Sequence, residues 1–231
     1  MVQEEAGHGR RMEGTDRRCS LEWGGHQDVE RPFGSGCPRM AERGSIVKLT
    51  AEMLSTARLS LYALSPDDSE AFFPILKDPA IYQFIPDQAP VSPEALRHQF
   101  ERYARGPRTA VPEVWLNWGV FVDKQPIGTL QATISVPTAS AQIAYVFGMA
   151  YRHRGLASES VFTMTQWLFA QSLDVVTAVI DTRNEDSIRL VKRLGFRQEA
   201  QVFDADFFKG HPSHEIIFAC RRPDLVNHGY A

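Results

Sequence analysis

Cysteine is scarce in this sequence. The three copies, Cys19, Cys37 and Cys220, form neither an even disulfide set nor a Cys-x-x-Cys metal pair. That excludes a disulfide-stapled scaffold and gives no reason to expect a metal, and unpaired thiols fit a reducing, cytoplasmic setting. Long apolar runs are missing too. Nothing approaches the roughly 18 residues of a membrane helix, so no membrane partner is expected, and the start of the chain has no apolar secretory core. Charge of one sign is also in short supply: 25 Lys and Arg against 28 Asp and Glu leave a formal net charge of -3. That is too small for bulk attraction to nucleic acid or to a membrane surface. Two common phosphate signatures are absent, the Gly-Lys-Ser/Thr end of a Walker loop and the Gly-x-Gly-x-x-Gly of a dinucleotide fold.

What is present falls into unequal parts. Eight of the 16 glycines lie in residues 1–45 (Gly7, Gly9, Gly14, Gly24, Gly25, Gly34, Gly36 and Gly44). The large apolar residues there follow neither strand nor helix periodicity. Such a stretch cannot bury enough surface to offset the entropy of ordering it, so a disordered tail is expected. Met40 stands just before the first patterned segment, and an upstream start codon would account for the tail. Residues 46–225 are expected to form one domain and 226–231 a short C-terminal tail.

Within the domain, residues 58–63 alternate and read as a strand. Ser65-Pro66 and Ser92-Pro93 each place an N-cap before a first-turn proline, predicting helices to about residues 77 and 105. Residues 115–123 and 126–136 read as strands around a polar turn, and 141–147 as a third. A helix over 155–172 carries Ala157, Val161, Met164 and Leu168 on one face. A short buried strand over 174–181 precedes a helix over 186–194 that stops at Gly195. Strands over 196–203 and 214–219 close the domain. The order is β-α-α-β-β-β-α-β-α-β-β, with no internal repeat.

Arg152-His153-Arg154-Gly155-Leu156-Ala157 lies between a strand and a long helix. A helix start offers free amides and partial positive charge, which together attract anions. Gly155 allows close backbone approach, and Arg152 and Arg154 add charged donors. A solvated, capped helix start is the plainer account of the same residues.

Arg152-x-x-Gly155-x-Ala157 resembles the pyrophosphate loop of the GNAT superfamily of N-acetyltransferases. Asn184-Glu185-Asp186-Ser187-Ile188 followed by Leu194-Gly195-Phe196 resembles the second motif of the RimJ/RimL-like branch, which acetylates protein N-termini. The resemblance spans roughly residues 57–220. It implies an α/β (α+β) fold with a mixed, mostly antiparallel sheet flanked by helices, and acetyl-CoA as co-substrate. It further implies that Phe147, Gly148, Met149, Arg152, Arg154, Gly155, Leu156, Ala157, Ser158, Asn184 and Ser187 contact that co-substrate. A backbone amide of the 141–147 strand would polarise the thioester carbonyl, with Gly148 suited either to a bulge or to ending the strand. The partner is a primary amine, on a peptide N-terminus or a small molecule, and homodimers are frequent in the family.

Two positions depart from the family's pattern. Val191 stands where many relatives have a tyrosine acid, and Gln142 where many have a glutamate base. Gln142 cannot take a proton, and Ser187 either donates a proton to the leaving thiolate or bonds the helix backbone. Such a site suits an α-amine better than a lysine. The same departures admit a non-catalytic CoA-binding module. Glu113 and Asn117 beside Trp115, with Asp204, Asp206, His211 and Glu215 near the last hairpin, are further polar candidates. Tyr82, Phe84, Phe207 and Phe208 are candidate pocket walls. Arg189, Lys192 and Arg193 form a basic stripe, read as a phosphate contact or a solvated face.

Overall fold

The computed structural model describes residues 49–108 and 112–230. The expected tail of residues 1–45 lies outside them, as do Cys19 and Cys37. The strands are β1 (Leu54–Ser55), β2 (Ser60–Ala63), β3 (Glu113–Val122), β4 (Gln125–Ser135), β5 (Ser140–Phe147), β6 (Val175–Asp181), β7 (Arg197–Phe208) and β8 (His211–Arg221). They form one sheet in the order β1-β2-β3-β4-β5-β6-β8-β7. Every ladder is antiparallel except β5–β6. The helices are α1 (Ser69–Leu76), α2 (Pro93–Arg105), α3 (Leu156–Ala170) and α4 (Glu185–Arg193). The expected element order holds, with the two-residue β1 added in front.

Local chemistry sets the element boundaries. Ser65 and Asp68 exchange side-chain and backbone bonds in a capping box, and a 3-10 turn at Pro66–Asp68 leads into α1. Ser92 caps α2 by accepting from the Ala95 amide at 3.1 Å. Asp123 and Lys124 both take positive φ, 48° and 65°, as a tight hairpin turn between β3 and β4 requires. Gly195 ends α4 at φ +93°, and a Cβ there would sit 1.9 Å from the Asp224 carbonyl oxygen.

The sheet is covered on both faces. Val161, Met164 and Leu168 of α3 and Leu190 and Val191 of α4 pack in one cluster with Trp118, Leu130, Ile134, Ile143 and Phe218. Phe72, Leu76, Leu96 and Phe100 of α1 and α2 form a second cluster with Phe121 and Val146. Along β5 the odd residues Ala141, Ile143 and Phe147 join the first cluster, and the even Val146 joins the second. Residues 226–230, expected as a tail, lie against the domain. The Val226 amide donates to the Leu194 carbonyl at 3.1 Å, and the Tyr230 ring lies 5.4 Å from that of Phe162.

The β5–β6 ladder holds only three pairs, ending at Gln142↔Thr177. Beyond it β5 stays with β4 as far as Phe147↔Gly128, while β6 stays with β8 as far as Asp181↔Glu215. The two parallel strands therefore part. Of the two roles weighed for Gly148, the bulge does not form. The β4–β5 register runs without a shift, and Gly148 at φ -57° ends the strand. The parting arises because β6 follows β8 through seven pairs and β5 through only three.

Candidate active site

The opening between β5 and β6 is the centre of the candidate site. From Ile143 to Phe147, β5 pairs only with β4 among the described residues. The chain then turns through Met149–Tyr151 and reaches α3 by Arg152 to Gly155. His153 (φ +58°) and Gly155 (φ +75°) are left-handed, which glycine tolerates without a Cβ clash. Gly155 is also the N-cap of α3, and it supplies no side-chain cap. The first-turn amides at Leu156, Ala157 and Ser158 thus point from the positive end of a 15-residue helix.

That helix start is held firmly. Glu159 is almost wholly buried and takes a 2.7 Å bond from Arg58 Nε, a second from the same guanidinium, and one from the Thr56 hydroxyl. Arg58 also reaches the Arg154 carbonyl at 3.3 Å. Its charge balances a carboxylate that would otherwise oppose an anion at this end. Arg193 of α4 donates to Ser158 Oγ at 2.6 Å, which joins α4 to the same turn. Arg152 is half-buried, Arg154 and Met149 are exposed, and Phe147 and Leu156 belong to the core.

The other arm of the opening is the β6–α4 junction. Asn184 is the N-cap of α4, its Oδ1 accepting from the Ser187 amide at 3.2 Å. Just before it, buried Asp181 accepts from Arg183 Nε at 2.8 Å and from the Ser213 hydroxyl at 2.7 Å. Burial alone pushes the Asp181 carboxyl up, but these bonds outweigh it and hold the group below the usual carboxylate range. His153 Nε2 lies 4.0 Å from Asp186. The two helix starts that sequence reasoning singled out are therefore neighbours.

Gln142 and Ser187 are not brought together. Gln142 is at the last parallel pair, on the α1/α2 face with Val146. Ser187 is on the opposite side, beside Tyr145. The Tyr145 hydroxyl is buried and makes no hydrogen bond. Burial pushes it up to about 12, and nearby Ser187 opposes the rise although no well-formed bond joins them. Tyr145 is not among the candidates read from the sequence. The available signal was a hydroxyl-bearing ring between Ile143 and Phe147, where apolar side chains would pack as well.

Strand register settles the remaining candidates. Trp115, Thr133 and Gln142 form one cross-strand row, and Asn117, Gln131 and Ala144 the next. Both rows and Glu113 lie on the α1/α2 face. Lys209 Nζ donates to the carbonyls of Tyr82, Ile85 (2.7 Å) and Asp87 (3.0 Å). That clasp holds the Tyr82 loop to the tip of the β7–β8 hairpin. Phe208 is buried beneath Arg183, whereas Phe207 is exposed. Asp204 turns back on His214, which accepts its amide at 2.9 Å. The basic stripe is engaged within the chain: Arg189 pairs with Glu185 and Asp186, Arg193 bonds Ser158, and Lys192 lies over Phe218. Cys220 is free and buried, its thiol pushed up to about 12 by burial, so it is a poor nucleophile.

A family model of the acetyltransferase (GNAT) domain matches residues 58–197, an interval that holds both helix starts and the strand opening between them. This chain belongs to the GNAT acetyltransferase family. It is thus an N-acetyltransferase by family. Its fold is similar to that of a probable GNAT acetyltransferase from Chromobacterium violaceum, with TM-score 0.70 and 21% identity over 84% of this chain and 98% of that one. It is also similar to RimL, a ribosomal L7/L12 alpha-N-protein acetyltransferase solved with coenzyme A (TM-score 0.66, 19% identity, 74% of this chain and 98% of that one). A third similar fold is ribosomal-protein-S5-alanine acetyltransferase from Vibrio fischeri (TM-score 0.63, 19% identity, 76% of this chain and 100% of that one). At these identities the likeness is one of fold. No match was found among curated proteins. Among the described residues, no helix is long and apolar enough to cross a membrane, and no group of three His, Cys, Asp or Glu side chains could hold a metal.

Proposed function

We propose that this GNAT domain moves an acetyl group from acetyl-CoA to a primary amine, by direct attack when both are bound, and that an α-amine is its preferred acceptor. The observation that carries the reading is the strand opening beside an uncapped helix start. The GNAT family is one that uses acetyl-CoA, and the residues present suit that group. Gly155 and the amides of Leu156, Ala157 and Ser158 would hold its pyrophosphate, with Arg152 and Arg154 adding charge. Phe147, Gly148 and Met149 would line the path of its arm, and the Asn184 side chain would bond it. The co-substrate supplies an acetyl thioester.

The amine nitrogen forms the new C–N bond, the C–S bond breaks, the nitrogen loses a proton and the sulfur gains one. The unpaired amides of β5 are the donors for the developing oxyanion. Ser187 would return the proton to sulfur, and the buried Tyr145 hydroxyl lies beside it. On the acceptor side Gln142 cannot serve as a base. An α-amine with pKa near 8 is roughly a quarter neutral near pH 7.4, whereas a lysine is only about 0.1% neutral, a difference of roughly 4 kcal/mol. One similar fold is named an alpha-N-protein acetyltransferase, which also favours an α-amine.

Thermal unfolding tests the cofactor side. Coenzyme A at about a hundred times its dissociation constant adds roughly 2.7 kcal/mol, or about 5–10 °C for a domain of this size. Pantetheine, which lacks the pyrophosphate, is expected to give little shift, and R152A with R154A to reduce the coenzyme A shift. Equal shifts from both ligands would refute the phosphate site.

A further inference from the structure

On the α1/α2 face beside the opening, two buried donor groups lack a partner among the described residues. Gln131 is only 9% exposed, and its amide nitrogen makes no hydrogen bond among the described residues. The indole nitrogen of Trp115 is buried and, among the same residues, unpaired as well. Indole N–H can only donate, and so can a glutamine NH2 group. Each such group, buried without a partner, costs about 1–3 kcal/mol, and native folds keep few of them.

These two are not scattered. Trp115 pairs with Thr133 and Gln131 pairs with Asn117 on adjacent strands. That makes Trp115 and Gln131 diagonal neighbours on one face, within mutual reach of long side chains. On its other side Gln131 pairs with Ala144, in the stretch of β5 that faces the opening. Asn117, Thr133 and Gln142 complete the two rows, and none carries charge.

We infer that Trp115 and Gln131 form a subsite for the carbonyl oxygen of an α-aminoacyl group, the first residue of a peptide or an amino-acid amide. This rests on the acetyl-transfer reading above and names its acceptor. Two donors with no carboxylate between them repel an ammonium and attract an acceptor oxygen. In an α-aminoacyl group the amine and the carbonyl are attached to the same carbon, so a carbonyl held by β3 and β4 leaves the amine free to point toward β5 and the opening beyond it. A polyamine has no acceptor oxygen to offer these donors.

Kinetics on two amines of matched basicity test the subsite: an alanyl peptide amide and 2,2-difluoroethylamine, which lacks a carbonyl. Wild type is expected to favour the peptide in kcat/KM. W115F and Q131L are each expected to lower that value for the peptide about tenfold and to leave the fluoroamine within about twofold. An equal fall on both amines, or no fall on the peptide, overturns the subsite while acetyl transfer stands. The coenzyme A thermal shift shows that each variant is folded, and W115F keeps the aromatic packing should Q131L be unstable. No turnover of either amine and no coenzyme A shift would refute the acetyl-transfer reading, and the subsite with it.

Discussion

Tyr145 has an apolar body that packs in the core and a hydroxyl that finds no partner there. A phenylalanine would fill nearly the same space without the cost of a buried, unbonded hydroxyl. Y145F is therefore expected to raise the melting temperature by a few degrees. If the hydroxyl positions Ser187, the same change lowers kcat about tenfold with little effect on the KM for acetyl-CoA. Unchanged kcat would make Tyr145 a packing residue only. Asp181 gives the opposite case, a buried group fully used. D181A leaves the buried Ser213 hydroxyl without its acceptor and is expected to lose about 1–3 kcal/mol at neutral pH. Because the folded state holds Asp181 below its ordinary value, its contribution is present above roughly pH 4 and fades as pH falls through the folded value. The gap in melting temperature between wild type and D181A should narrow between pH 6 and pH 3.

The elements show what the sequence disclosed and what it hid. Ser92 before Pro93, Asn184 three residues before Ser187, and Gly155 before an apolar face are local signals, and α2, α4 and α3 start where they point. β1 escaped notice because two residues carry no periodicity; Leu61 and Ser60 across the ladder define it. β7 and β8 run longer than their alternation suggests, since bulges near Gln198 and Val202 break the period of β7. The tie between the β1–β2 turn and α3 was also hidden, because Arg58 and Glu159 lie 101 residues apart. R58A leaves the buried Glu159 carboxylate without its cationic partner. It is expected to cost about 2–3 kcal/mol, the lower end for such a loss because Arg58 is itself half exposed. It should also weaken coenzyme A binding, since the carboxylate then faces the phosphates. Calorimetry on R58A and on R58K, which restores charge without the fork, separates the two effects.

At the scale of the whole molecule, the mixed sheet was legible from the element order and from two motifs that resemble one family. The site's two sides were not equally legible. The proposed phosphate side draws on contiguous residues, 152–158 and 184–187, which a linear reading can pick out. The proposed acceptor side rests on register, with Trp115, Gln131 and Gln142 on one face of three neighbouring strands, and periodicity does not fix which residue faces which. This asymmetry explains why Gln142 stood out as a substitution while Gln131, a more deeply buried donor beside it, did not.

The Lys209 clasp has a consequence for the order in which the enzyme is made. Its three acceptors lie 122–127 residues earlier in the chain, and β8, which it adjoins, slots between β6 and β7. A ribosome has therefore translated past residue 209 before the Tyr82 loop can be fastened. A nascent chain released short of residue 209 would lack the tie between the Tyr82 loop and the last hairpin. Truncated products should then leave that loop unfastened.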